Sequence, residues 1–369
     1  METRTMGIRT ITRRSSPGKM QTGVLNTFTK VLWIAGISVD HKSRERKILK
    51  IVGLILFNSF WSIVCLKTVW HLVKKTEKWD IQLFILLEQV LCFILWWAMF
   101  LKRFRIYECM SYLDSLRTDF GMKNQRIFHC LAISINILIF ALCTFNNVED
   151  RAWMPDEIRK LFHNKDGWIA LVVVIIDSLS SLILHGLPVI ASIIYLAICF
   201  NTIKLLNHFG KMIMEERLDE HATFVRSSSL IEKLEDSMSL AIFFFLFRCV
   251  VEFFCTLTAI INFLMGTFHQ LFIAFFLHKI FLYSTVVILA DLVQTYHANL
   301  KRQVMRKILE RIYTYSNISM NKNFVRFLEI RGDADNITAW KMFILNRRLF
   351  LSTVAFLMTY GVLFYQMKE

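Results

Sequence analysis

The chain is 369 residues long, 55% of them hydrophobic, with a mean hydropathy of +0.46 and a formal net charge of +15. Charged residues make up 20%, below the about 25% of soluble domains, and they lie in blocks between long apolar runs, which excludes a soluble globular chain. Thirty-three Phe against three Pro describe long unbroken helices; no strand-length alternating segments of a membrane barrel occur.

The reading is an all-α polytopic membrane protein. Segment 1–47 is basic, but no short apolar core and small-residue cleavage site follow it at once, so no cleaved signal peptide is expected. A span needs about 20 predominantly apolar residues. Seven such stretches follow, at 48–66, 81–101, 127–145, 169–190, 238–264, 268–292 and 348–366. The fourth apolar run continues to Phe200, and Pro188 within it removes a backbone donor, so a kink is expected there in a helix that leaves the membrane.

Ionisable groups inside spans are costly and are site candidates by default. Glu88 falls in span two, Asp177 (with Ser181) in span four, Arg248 and Glu252 in span five, and His278 and Lys279 in span six. Together they describe a ligand pocket opening outward among spans two to six. Arg248 and Glu252 are four apart on one helix face and can also neutralise each other as an ion pair. His278 and Lys279 are in a position to pair with Asp177 across helices. Trp96, Trp97, Phe253 and Tyr283 are available to wall a pocket.

In segment 293–347, Leu300, Val304, Ile308 and Ile312 recur every four residues among Lys301, Arg302, Arg306, Lys307 and Arg311. This is a basic amphipathic helix, lying on anionic lipid or continuing span six into solvent. Segment 348–369 then supplies the last span and a short tail.

Orientation follows the excess of Lys and Arg in cytoplasmic loops. Segments 1–50, 102–126, 201–237 and 293–348 carry 33 of them, and the alternate segments carry nine. The N-terminus is thus read as cytoplasmic and, with seven spans, the C-terminus as extracellular. The basic loops are explained by this orientation and call for no nucleic acid. A G-protein-coupled receptor needs the opposite topology, and no Asp-Arg-Tyr, no Asn-Pro-x-x-Tyr and no Pro in spans five to seven are present. Inverted repeats of a secondary transporter are not seen either. Seven of the eight Cys fall in or at the ends of apolar stretches, Cys109 is read in a basic loop, and no Cys/His spacing marks a metal site. No catalytic constellation is found, so neither enzymatic activity nor a cofactor is expected.

The C-terminal stretch reads Phe343-x-Leu345-Asn346-Arg347-x-Leu349-Phe350, followed by Thr359-Tyr360, five residues and Gln366. This resembles the insect gustatory receptor family, whose last span carries Thr-Tyr, five mostly hydrophobic residues, Gln and Phe. Met367 stands where the family has Phe. The resemblance implies a ligand-gated, non-selective cation channel in the plasma membrane of gustatory neurons, assembled as a homo- or heterotetramer with related subunits.

The same resemblance implies that spans one to six (48–292) form the ligand-binding bundle, 293–347 an anchor where subunits pack, and the last helix the pore. Thr359, Val362, Leu363 and Gln366 share one face of that helix, with Met367 beside them. A ring of Gln can coordinate partly hydrated cations, and rings of Val, Leu or Met can close by dewetting. By analogy of length the ligand is expected to be a bitter or otherwise aversive tastant. A metabotropic seven-span receptor and an odorant-receptor-type subunit are the alternatives.

The sequons Asn317-Ile-Ser319 and Asn336-Ile-Thr338 both fall on the side read as cytoplasmic. Glycosidase treatment of protein expressed in insect cells is expected to leave its electrophoretic mobility unchanged. A shift abolished by Asn317→Gln or Asn336→Gln would reverse the orientation.

Overall fold

The computed structural model describes residues 37, 44–74, 79–120, 167–216, 219–263, 270–315, 337–339 and 342–366. They form six helices: α1 (Arg44–Lys74), α2 (Trp79–Asp119), α3 (Gly167–Met214), α4 (Glu220–Phe263), α5 (Gln270–Tyr315) and α6 (Arg347–Gln366). The span expected at 127–145 lies outside the described residues. The other six expected spans fall on these six helices, and among the described residues α2 to α5 contain stretches long and apolar enough to cross a membrane.

The helices outrun the apolar windows that announce them. At about 1.5 Å per residue the 41 residues of α2 extend about 60 Å, twice the about 30 Å hydrocarbon thickness. α3, α4 and α5 are longer still. Apolar composition stops where lipid stops, but helical periodicity does not. Beyond the expected end of span two, Ile106, Leu113 and Leu116 remain buried, against Leu206, Phe209, Phe224 and Leu234 from α3 and α4 in the same core. Segment 293–315 is likewise a continuation of span six within α5, with Leu300, Val304 and Ile308 buried. Cys109, read as a loop residue, is fully buried within α2.

Helix ends are set by local chemistry. α3 stops where Glu216 takes φ 58°, a left-handed conformation in which its N–H donates to Ile213 O at 3.1 Å. Asp219 caps α4, its Oδ1 accepting from the His221 N–H at 3.1 Å. Inside α3, Pro188 leaves Leu184 O without its usual donor, and Cys92 Sγ of α2 lies 3.8 Å from that oxygen.

α2 packs most extensively on α4 and α3 on α5, with α4 also against α5 and α1 against α2. The α1–α2 seam is aromatic: Phe57 stacks on Trp96 at 4.0 Å and meets Trp61 edge-on at 6.1 Å. Trp97 joins this cluster beside Phe93 and Phe100. At the basic end, Asp236 of α4 pairs with both Lys102 and Arg105 of α2. The outer faces stay apolar, as Ile55, Leu66, Leu277 and Phe281 are more than half exposed, a surface suited to lipid and not to water.

The all-α expectation needs one amendment. Before α6 the chain makes a minimal antiparallel pair, β1 (Thr338–Ala339) with β2 (Phe343–Ile344), registering Thr338 with Ile344 and Ala339 with Phe343. Gln294 of α5 clamps it, donating from Nε2 to Leu345 O at 2.9 Å and Ile337 O at 3.3 Å. Thr338 Oγ1 donates to Glu235 of α4.

Leu234 is fully buried in α4 and Leu351 of α6 is 63% exposed. Leu234→Ala is expected to cost about 2–5 kcal/mol and to lower the midpoint of thermal unfolding in detergent, with Leu351→Ala as the unshifted control. Equal midpoints for the two variants would remove Leu234 from the core.

Candidate functional site

The site lies where α2, α4 and α5 run side by side at membrane depth. Their apolar runs carry only a few ionisable residues, and packing collects four of them into a row. Arg248 is 1% exposed, and its Nη2 stands 2.6 Å from Glu88 Oε1 of α2 and 2.7 Å from Glu252 Oε1, one helical turn along α4. Lys279 Nζ of α5 reaches the same Glu252 oxygen at 2.7 Å. The order Glu88, Arg248, Glu252, Lys279 alternates in sign and sums formally to zero.

The i, i+4 pair expected within span five is therefore present, extended at both ends by neighbouring helices. Buried charge persists only when paired in this manner, because desolvation of either partner alone exceeds what the fold can offset. The pairing leaves hydrogen-bonding capacity unused. Arg248 engages through Nη2, while its Nε and Nη1 have no hydrogen-bond partner, and Glu252 Oε1 is at ion-pair distance without hydrogen-bond alignment. His278, half-buried beside Lys279, has Nδ1 without a hydrogen-bond partner. Lys279 finds Glu252, whereas the side chains of Asp177 and Ser181 lie outside the described residues.

His185 of α3 completes the site and is absent from the residues singled out by sequence. The signal was available: it is an ionisable residue in the same apolar run as Asp177, three before Pro188. Ligand atoms of Glu88, His185 and Glu252 lie within 4.8 Å of one another, a spacing that suits a metal ion. The guanidinium of Arg248 and the ammonium of Lys279 already stand on these carboxylates, so a divalent cation would have to displace a cation in place. Gln89, next to Glu88, points the other way, its Oε1 accepting from Thr68 Oγ1 of α1 at 2.9 Å.

The residues assigned to a pore lie apart from this row, on α6. Asn346 caps that helix, its Oδ1 accepting the Leu349 N–H at 3.1 Å, and Arg347 Nε pairs with Asp291 of α5 at 2.8 Å. Among the described residues α6 packs chiefly on α4 and α5, through a stripe at i, i+4 spacing that includes Thr353, Leu357 and Gly361, all half-buried. A Cβ added at Gly361 would meet Leu257 Cδ2 at 2.9 Å, so glycine permits the closest approach of α6 to α4. Thr359, Leu363 and Gln366 point away from that stripe and are exposed, and Val362, also exposed, stands at the edge of a cavity between α4, α5 and α6. Thr359 Oγ1 donates to Ala355 O at 2.9 Å. Tyr360 packs edge-on against Phe254 of α4, and Met367 lies outside the described residues.

No family model matches the chain, and no curated protein matches it. Solved structures do. The insect olfactory receptor OR5 from Machilis hrabei in complex with eugenol superposes with a TM-score of 0.64 at 12% identity, covering 93% of this chain and 98% of that one. A second structure of the same receptor gives 0.57 at 14% identity over the same shares. The chain has the fold of an insect olfactory receptor.

Replacing Glu252 by Ala leaves Arg248 and Lys279 with one carboxylate between them. A loss of about 3–5 kcal/mol is expected, read as a large fall in the thermal midpoint of purified protein, with Glu252→Gln intermediate. A midpoint equal to that of wild type would show that the row is not buried as a unit.

Proposed function

We propose that this chain is a subunit of a chemosensory, ligand-gated, non-selective cation channel of the insect gustatory type. The observation that carries this reading is the uncovered face of α6 in a chain with the insect olfactory receptor fold. In a lone subunit, Thr359, Leu363 and Gln366 face away from the bundle, with Val362 exposed at the edge of this face. A helix that presents Thr and Gln to hydrocarbon is disfavoured, whereas four such helices around an axis place these residues in water. Gln366 then forms a neutral ring for partly hydrated cations, with Val362, Leu363 and Met367 as the apolar constriction that gates by dewetting.

The Thr359-Tyr360 and Gln366 spacing supports the gustatory branch, and the likeness to OR5 supports an odorant-receptor-type subunit as the second reading. On the proposed topology there are seven spans, with residues 1–47 and 293–347 cytoplasmic and the C-terminus outside. The protein resides in the plasma membrane of sensory neurons as a homo- or heterotetramer, and it performs no chemistry on its ligand. Its ligand is a small-molecule tastant of the bitter or aversive class. Glu88, Arg248, Glu252 and His278, together with Asp177 and Ser181, would receive a polar or cationic group. The unused Nε and Nη1 of Arg248 are donors that an acceptor atom of a polar ligand would satisfy, while a cationic group would turn to the carboxylates of Glu88 and Glu252.

Patch-clamp recording of cells expressing the chain, with a panel of bitter compounds and sugars and G-protein signalling blocked, tests this. Ligand-evoked cation current is expected, and Gln366→Ala is expected to change relative cation permeability at unchanged surface expression. Unaltered permeation in Gln366→Ala would overturn the pore assignment, and a current lost when G-protein signalling is blocked would favour the metabotropic class.

A further inference from the structure

On the other side of the α4–α5 seam from the charged row lies a cavity of about 480 Å³. Phe253 and Ile280, each the residue after a member of the row (Glu252 and Lys279), turn towards it. α4 contributes Phe253 and Leu257, α5 contributes Ile280 and Tyr283, and α6 closes it with Thr353 and Leu357 among others. Its volume is that of small-molecule sites, which run from about 300 to 1,000 Å³.

The walls specify an occupant. Among the described residues no Lys, Arg, His, Asp or Glu lines the cavity, so a charged molecule would be desolvated there without compensation. The inner wall is aromatic: Phe253 meets Tyr283 edge-on at 5.7 Å, and Tyr283 faces Phe350 at 6.2 Å. The cavity is closed at its two ends and open along the side facing away from the bundle, where Val354, Met358 and Val362 are exposed. Tyr283 and Phe350 stand at one end, and at the other the Gly361–Leu257 approach brings α6 against α4. From Phe350 to Gly361 the helix rises about 16 Å. A lipid chain could enter from the open side, but it cannot use the edge-to-face geometry that the rings of Phe253, Phe276, Tyr283 and Phe350 offer, whereas an aromatic molecule can.

The polar atoms narrow the choice further. Tyr283 Oη and Thr353 Oγ1 are 2.8 Å apart, and Thr353 Oγ1 also donates to Leu349 O at 2.9 Å. A threonine hydroxyl carries one hydrogen. With that hydrogen on Leu349 O, the Tyr283 hydrogen must lie on Thr353, and both donors are committed. What remains for an occupant is acceptor capacity alone.

The geometry points to a second ligand site, between α4, α5 and α6, for neutral one- or two-ring aromatic molecules bearing a hydroxyl or N–H donor. Such a molecule contacts α6 directly, through Thr353, Leu357 and Val362 among others, whereas the charged row contacts α2, α4 and α5. This inference does not rest on ion conduction.

The test is photolabelling of the full chain in phosphatidylcholine nanodiscs with a trifluoromethyl-diazirinyl phenol, mapping adducts by mass spectrometry. Adducts on α5 and α6 at Ile280 and Leu357 are expected to saturate with probe concentration. They should be displaced by 4-propylphenol at least fivefold more effectively than by its methyl ether. Leu357→Trp and Ile280→Trp, which fill the cavity from opposite walls, should each remove these adducts while leaving labelling elsewhere unchanged. Labelling that rises in proportion to probe and resists competition would mean lipid fills the space and would overturn the site. So would absent labelling together with disulfide formation between copies carrying Leu357→Cys. Equal displacement by phenol and methyl ether would overturn the donor requirement. Saturation and competition are measured on the wild-type chain, so misfolding of a variant affects neither, and no current is recorded, so failure here and failure of the channel reading are separable.

Discussion

Four charges held in an apolar bundle constrain everything around them. Arg248 sits between two carboxylates and Glu252 between two cations, so loss of Arg248 strands Glu88 and loss of Glu252 strands Lys279 in a medium where water is scarce. The row therefore fixes the relative heights of α2, α4 and α5, since a shift of one turn along any of them separates Glu88 from Arg248 or Lys279 from Glu252. Apolar packing alone sets no such register, because one Leu or Phe can replace another along a greasy seam. A polar or cationic ligand competing for these groups would act on three helices at once.

α6 stands in a different relation to the bundle. Its first turn is anchored by polar contacts: the Asn346 cap, the Arg347–Asp291 pair, and the clamp of Gln294 on the strand pair before it. Further along, contact is made through the Tyr283–Thr353 hydrogen bond, then aromatic edges and the Gly361–Leu257 approach. One end is positioned by directional bonds, and the other leans on contacts that tolerate displacement. That asymmetry suits a helix whose C-terminal end moves while its root stays fixed. The apolar cavity lies along this adjustable part and shares α4 and α5 with the charged row, so row and cavity flank one seam.

The extended helices explain how an apolar bundle also presents a solvated, basic end. Leu113, Phe209, Leu234 and Val304 continue the core beyond the apolar windows, while the charged residues between them face outward or pair, as Asp236 does with Lys102. No separate domain is needed to make that end, since the same four helices build both regions. The boundary drawn at 292 falls inside α5.

Hydropathy alone determined that the chain is a membrane-embedded helical protein, because lipid demands some twenty apolar residues per crossing and six of the seven stretches lie on observed helices. It also flagged Glu88, Arg248, Glu252 and His278, since a charge in an apolar run is visible without a structure, and the i, i+4 spacing already announced the Arg248–Glu252 pair. Helix ends were illegible, as amphipathic segments such as 102–119 look like polar loops until a partner face is known. The same limit placed Cys109 in a loop. Which ionisable residues meet was decided only by tertiary packing: Lys279 joins Glu252 from another helix, His185 enters from α3, and Tyr283 and Phe253 turn to the cavity, because the rotation of each helix about its axis is set by its neighbours.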